Sequence, residues 1–267
     1  MAERRLLPGT GIEVSHLGFG TGSLHHILSA RRRLDLLSAA AASGIMHFDT
    51  APYYGYGLAE TDLGRFLRVR RSGLTVATKV GLYPFGPYSG HVATVWSRKL
   101  AGKLISRIAL PQVDFRVTRA RESVTSSLRR LGTGHVDFLF LHEPDPALVV
   151  TDEMLAWLET ERREGRIRAW GIAGLRENVA TWAVGPHRLA EVVQTQDSLH
   201  RRQADFLISA GREMQFTYGY LSDRGDGGER MSPTDIVREA LKRNSTGCVL
   251  VSSRSESRLE QLACALQ

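Results

Sequence analysis

Long apolar runs are missing from this 267-residue chain. None approaches the ~20 residues that would span a bilayer, so no membrane partner is expected. Cysteine is scarce. Cys248 and Cys264 are the two present, without the paired Cys/His spacing of a metal cluster, which excludes a zinc framework and a disulfide scaffold. Both lie in apolar stretches and read as buried free thiols in a reducing compartment. The opening MAERRLLPGTG lacks the apolar core and small-residue cleavage site of a secretory leader, and a cytoplasmic location is the expectation. A dinucleotide fingerprint is also absent. Gly18-Phe19-Gly20-Thr21-Gly22 is glycine-rich but lacks the Gly-x-Gly-x-x-Gly spacing, which argues against a Rossmann fold. Acidic residues are in the minority, 28 against 35 Lys+Arg, for a net charge of +7. The arginines are scattered as Arg31-Arg32-Arg33, Arg129-Arg130, Arg162-Arg163 and Arg201-Arg202, with no aromatic-basic motif joining them. Nucleic acid is therefore not an expected partner, whereas an anionic small molecule would profit from the positive field.

What the chain has is a regular alternation. After a small hairpin over 4–14, short apolar runs at 14–21, 46–49, 74–80, 136–141, 167–172, 191–196, 214–221 and 248–251 read as strands. Segments of helical spacing at 30–43, 60–69, 118–131, 152–163, 178–184, 204–210, 233–244 and 257–266 follow them in turn. Strict alternation predicts a parallel α/β sheet, and a count of eight favours a closed (β/α)8 barrel, a TIM barrel, as a single domain over 1–267. One stretch departs from the rhythm. Residues 81–112, rich in Gly and Pro with a helix-like piece over 95–108, form a long excursion after the third strand, and loops of this length are usually functional.

Barrel enzymes place their chemistry where strands end. The second strand delivers Asp49, and Tyr54 follows on its loop in FDTAPYYGYGLAETDLG. The third delivers Lys79, the fourth His142 and Glu143, the sixth Gln194 and Gln196, the seventh Tyr218. Asp49, Tyr54, Lys79 and His142 make a coherent set. A free phenol has a pKa near ~10, and a nearby ammonium lowers it. The carboxylate would hold the lysine charged and in place. A histidine can orient a carbonyl oxygen. Together they form a proton donor for a carbonyl that accepts hydride, a contribution of ~10²–10⁴ in rate.

These segments resemble a known family. FDTAPYYGYGLAETDLG, ATKVG, FLFLHEPDP and GRIRAWGIAG, in that order over nearly the whole chain, are similar to the aldo-keto reductase superfamily. The resemblance implies a (β/α)8 barrel that uses NADP(H), with NAD(H) possible, on small carbonyl substrates such as aldehydes, ketones or sugars. It puts Asp49, Tyr54, Lys79 and His142 on the catalytic tetrad, with Tyr54 as general acid. It also implies that Gly20, Thr21 and Gly22 back the nicotinamide, that Gln194 holds its carboxamide, and that Tyr218 stacks on it. Gly219 and Leu221 then begin the pyrophosphate segment, and Ser253, Arg254 and Arg258 grip the adenosine phosphate. The chain departs from the family in places. Ala173-Gly174 stands for the usual Ser-Asn after the fifth strand, Val251-Ser252 for Pro-Gly or Pro-Lys after the eighth, and Leu262 for an Asn near the adenine.

Several residues have simpler readings. Glu143 reads as a solvated loop acid, and Trp157, Trp170 and Trp182 as packing. Trp96 is a candidate for lining a substrate pocket. His25-His26 lies near the pocket mouth without a third ligand, so no metal is expected. The alternatives to a reductase are a non-redox lyase or isomerase on the same frame, or a binding subunit with a degraded cofactor site.

Overall fold

The computed structural model describes residues 4–89, 91–97, 110–185, 187–223 and 231–266. The chain opens with the antiparallel hairpin β1 (Arg4–Leu6) and β2 (Glu13–Ser15). The barrel strands are β3 (Leu17–Gly20), β4 (His47–Asp49), β5 (Thr75–Val80), β8 (Val136–His142), β9 (Ile167–Gly174), β10 (Val192–Gln196), β11 (Phe216–Tyr218) and β12 (Cys248–Val251). All pair in parallel and close in chain order, with β12 against β3. Between β5 and β8 a short antiparallel pair, β6 (Leu82–Tyr83) and β7 (Gln112–Val113), fastens the base of the excursion. The helices are α1 (Ala30–Ala42), α2 (Leu58–Leu67), α3 (Val117–Leu131), α4 (Thr151–Arg163), α5 (Arg176–Ala183), α6 (Asp205–Ser209), α7 (Pro233–Arg243) and α8 (Glu256–Ala263). The expected eightfold alternation is therefore the observed one.

Local chemistry starts and stops these helices. Ser29, Ser232 and Ser255 accept hydrogen bonds from the backbone N–H three residues on, and Pro233 occupies the first helical position of α7. Gly132 closes α3 in the left-handed region, at φ 64.

Two large apolar cores, as a barrel requires, are accompanied among the described residues by a small cluster of Tyr56, Leu58 and Val95 under the excursion. Outside the strands, Leu17, Phe48, Val76, Leu139, Trp170 and Val193 face the helix layer. Trp157 and Trp182 are buried there as well, which bears out their reading as packing residues. Inside, Phe138, Phe140 and Phe216 pack against one another, joined by Ala77, Val192 and Cys248. Leu7, Ile12 and Val14 of the hairpin belong to this inner cluster and plug the N-terminal end of the barrel.

Three sequence readings need correcting. The run 14–21 is not one strand. It breaks at His16, whose Nε2 is 2.8 Å from the Asn244 carbonyl oxygen, so that one half serves the hairpin and the other the barrel. Cys248 is buried, but Cys264 is exposed, because the last turn rotates it outward. The helix-like piece expected over 95–108 is seen as helix over 92–97, and its remainder, 98–108, lies outside the described residues.

Candidate active site

The second strand is three residues long, and all three are buried. It ends by delivering Asp49, 4% exposed, at the C-terminal mouth of the barrel. The chain then winds into a tight 3-10 turn over Tyr54–Gly57 before α2 begins. Gly55 makes this turn possible. Its φ is 59, and a Cβ there would stand 2.6 Å from the Cβ of His25.

Lys79, from β5, reaches across to Asp49 with 2.5 Å between Nζ and Oδ1, and donates a second bond to the Thr50 carbonyl at 2.9 Å. Its Nζ also lies 5.2 Å from the centroid of the Tyr54 ring. His142, the last residue of β8, meets the Tyr54 ring edge-on with centroids 6.1 Å apart. The strand carrying Lys79 is anchored from behind. Thr78 donates to Glu60 of α2 at 2.7 Å, and Arg130 of α3 donates to the other oxygen of that fully buried carboxylate at 2.7 Å.

The electrostatics differ from the simple expectation. Tyr54 is pushed well above the usual phenol range, chiefly by burial, with the negative charges of Asp49 and Glu143 adding to it. The expected lowering by Lys79 is therefore overturned: its ammonium is engaged in the close pair with Asp49, and desolvation of the phenolate prevails. Burial pulls Lys79 below its ordinary value, opposed by the bond and charge of Asp49. His142 is held well below the usual imidazole value by burial and by Lys79, so it is neutral near pH 7. Tyr54 keeps its proton at rest.

The four groups open onto one cavity of about 310 Å³. Gly20, Gly22, Gln194, Tyr218, Gly219 and Leu221, six of the residues singled out in the sequence, lie on its wall. Gln194 donates to Asp49 Oδ1 at 2.9 Å, which leaves its own Oε1 buried without a partner. An orphaned buried acceptor beside a tyrosine face suits a ligand amide, so this end fits a nicotinamide carboxamide. Gly219, at φ 105, turns the chain so that Tyr218, Tyr220 and Leu221 all border the cavity.

Three predicted residues fall elsewhere. Thr21 is fully buried and spends its hydroxyl on the Asp49 carbonyl at 3.0 Å, so it shapes the floor without reaching the cavity. Ser253 is buried and bonded within its own turn, donating to the Ser255 carbonyl and accepting from the Ser255 N–H. Arg258 is exposed on α8 and lines neither the cavity nor the second cleft. Arg254 does line that cleft, of about 680 Å³, together with Arg32, Ser255 and Ser257. The carbonyl of Ser253 and the hydroxyl of Ser23, 3.5 Å apart, link the last strand's loop to the first. Two arginines and two capped helix starts give this cleft positive character, offset in part by Glu256, which also lines it.

The sequence reading passed over Arg32, Tyr220 and Ser252, all of which border one of these spaces. Glu143, expected as a solvated loop acid, is half-buried and held in place. Its carboxylate accepts from the Leu175 N–H at 2.9 Å and from Asn178 Nδ2 at 2.7 Å, at the start of α5. Its position directly after His142 is the one signal the sequence offers. Trp96 does not line the cavity; it is 42% exposed and stands edge-on to His26. Among the described residues no cluster of potential metal ligands occurs, and no helix is long and apolar enough to cross a membrane.

Comparison with known proteins places the chain in a family. The chain is 31% identical to L-galactose dehydrogenase of Arabidopsis thaliana over 68% of its own length and 51% of that protein. It is 33% identical to D-threo-aldose 1-dehydrogenase of a Pseudomonas species, over 94% of its length and 69% of that protein. The matched stretch thus spans half to about two thirds of these relatives. Among solved structures, an aldo-keto reductase from Bacillus halodurans in its holo form superimposes with a TM-score of 0.75 at 21% identity, over 100% of this chain and 91% of that one. Glycerol dehydrogenase from Gluconobacter oxydans gives 0.75 at 20% identity, over 100% and 90%. These likenesses show the same barrel. The sequence profile of the Aldo/keto reductase family matches residues 16–200, which hold Asp49, Tyr54, Lys79, His142 and Gln194, and the chain belongs to that family.

Proposed function

We propose that this protein is a nicotinamide-dependent oxidoreductase that interconverts a carbonyl and an alcohol on a small molecule, with Asp49, Tyr54, Lys79 and His142 as its catalytic groups. The observation that carries this reading is their convergence, from the ends of β4, β5 and β8 and the loop after β4, on one cavity that also holds the orphaned acceptor of Gln194 and the face of Tyr218. Gln194 and Tyr218 would hold the nicotinamide. Arg254 and Arg32 would receive the adenosine phosphate, which favours NADP(H) over NAD(H). The relatives named for aldose and galactose oxidation make a sugar or sugar-like alcohol the first substrate class to try. A cytoplasmic location and one barrel domain over 1–267 complete the proposal.

The bound cofactor supplies or accepts the hydride; the chain supplies everything else. In the reducing direction a substrate carbonyl oxygen sits between Tyr54 and His142. Neutral His142 orients it by donating a hydrogen bond. Tyr54, which burial keeps protonated, gives its proton to that oxygen. The phenolate left behind is the charge that Lys79 is placed to meet, 5.2 Å from the ring. Lys79 thus acts on charge that develops during the reaction, without acidifying the resting phenol. Asp49 keeps the ammonium aimed.

Tyr54→Phe tests the reading. It removes the transferable proton and little volume. Turnover of a reactive aldehyde with NADPH should fall by at least ~10²-fold, with NADPH affinity, read by fluorescence, unchanged. Retained turnover would remove Tyr54 from the mechanism.

A further inference from the structure

Glu143 is built into the site. Its backbone lies in the left-handed region at φ 53, unusual for a residue with a side chain. Its N–H donates to the Ala173 carbonyl at 2.7 Å, which ties the loop after His142 to the exit of β9. Its carboxylate lies where the side chain of residue 174 would be: a Cβ on Gly174 would stand 2.3 Å from Glu143 Oε2. Gly174 and Ala173 are part of the cavity wall, so the carboxylate sits directly behind that wall. Asp49, the acid inside the cavity, is neutralised by Lys79. Glu143 forms no ion pair among the described residues, and its partners are the neutral Leu175 N–H and Asn178 amide. Its charge reaches across the site. After burial, Glu143 is the largest influence raising Tyr218, and it contributes to the rise of Tyr54.

We propose that Glu143 makes the site discriminate between the redox forms of its cofactor, binding the oxidised, positively charged nicotinamide more tightly than the neutral reduced one. The inference rests on the oxidoreductase reading above. The two forms differ at the nicotinamide by one positive charge and are otherwise nearly the same shape. A carboxylate without an ion-pair partner behind the cavity wall separates them by Coulomb attraction alone. Glu143 touches neither cofactor nor substrate here; it is a selectivity residue that works through the field it sets.

Binding of NADP⁺ and of NADPH to the full chain, each measured by calorimetry without substrate, tests this. Glu143→Gln with its amide oxygen in the place of Oε2 still accepts from both the Leu175 N–H and the Asn178 amide. NADP⁺ affinity should fall on the order of tenfold, and NADPH affinity by less than about twofold. Asn178→Lys is the independent variant. It leaves Glu143 in place, sets an ammonium against it, and should give the same selective loss. Melting curves establish that each variant is folded. Equal losses for both cofactor forms, or none, in the folded variants overturn the proposal while leaving the oxidoreductase reading intact. Failure of the wild type to bind either form, or NADH and NAD⁺, would sink the oxidoreductase reading itself.

Discussion

Replacing Lys79 with Met should damage stability and catalysis together, and a second substitution should separate the two. The Lys79 side chain is 3% exposed and that of Asp49 5%, with 2.5 Å between the charged atoms. Removing the ammonium leaves the Asp49 carboxylate buried with the Gln194 amide, at 2.9 Å, as its remaining side-chain donor, and leaves the Thr50 carbonyl without its 2.9 Å bond. Breaking one side of a buried pair costs about 3–5 kcal/mol. The surviving Gln194 bond places this case at the lower end, about 3 kcal/mol, or roughly 6–12 °C in melting temperature for a chain of this size. Asp49→Asn with Lys79→Met removes both charges while Gln194 still finds an amide oxygen. Because burial already penalises the ammonium, this double variant should recover about 1–2 kcal/mol of the lost stability. It should remain as inactive as Lys79→Met, since the charge that meets the Tyr54 phenolate is gone in both. Thermal denaturation followed by circular dichroism, with kcat at saturating NADPH, reads both arms. A double variant as unstable as the single one would refute the assignment of the cost to an unpaired charge. Full activity in either would refute the role given to Lys79.

Three further outcomes are expected. His47 is wholly buried, and desolvation lowers its pKa from 6.5 to about 4; the unfolded chain therefore binds a proton that the fold refuses between those values. Stability should be complete above pH 6.5 and decline as pH falls toward 4, by about 3 kcal/mol; urea unfolding across that range, set against His47→Leu, which should show a shallower decline, checks the sign. Gly219→Ala forces a side chain into φ 105 with its Cβ 3.0 Å from Gln196 Cγ, and should cost about 1–3 kcal/mol of stability together with a clear loss of cofactor affinity, measured by fluorescence titration. Arg254→Ala should weaken NADPH by roughly tenfold while sparing NADH; equal effects on both would place the phosphate elsewhere.

What could be read in the sequence was what is local along the chain. Asp49, Lys79 and His142 each close an apolar run, and a run's end is visible without knowing its neighbours. Closing eight such runs into a parallel barrel then forces their ends onto one rim. What could not be read depends on which neighbour lies alongside. The carboxylate of Glu143 is held by Leu175 and Asn178 of the next βα unit, and it has room only because His142 pairs in register with Ala173, which brings Gly174 opposite it. The upward displacement of Tyr54 was hidden for the same reason. Spacing places an ammonium near a phenol, but whether that ammonium faces the phenol or a carboxylate is a matter of a few ångströms across β4 and β5. The cleft of Arg32 and Arg254 joins the start of α1 to the loop after β12, elements from opposite ends of the chain that meet because β12 pairs with β3. The chemistry of this protein was therefore legible at strand ends, while its tuning resides in the pairing between strands. A substitution such as Gly174→Ser, which looks mild in the sequence, should act through that pairing: it would drive Glu143 from its place and alter the field at the cavity without touching any of the four groups that react.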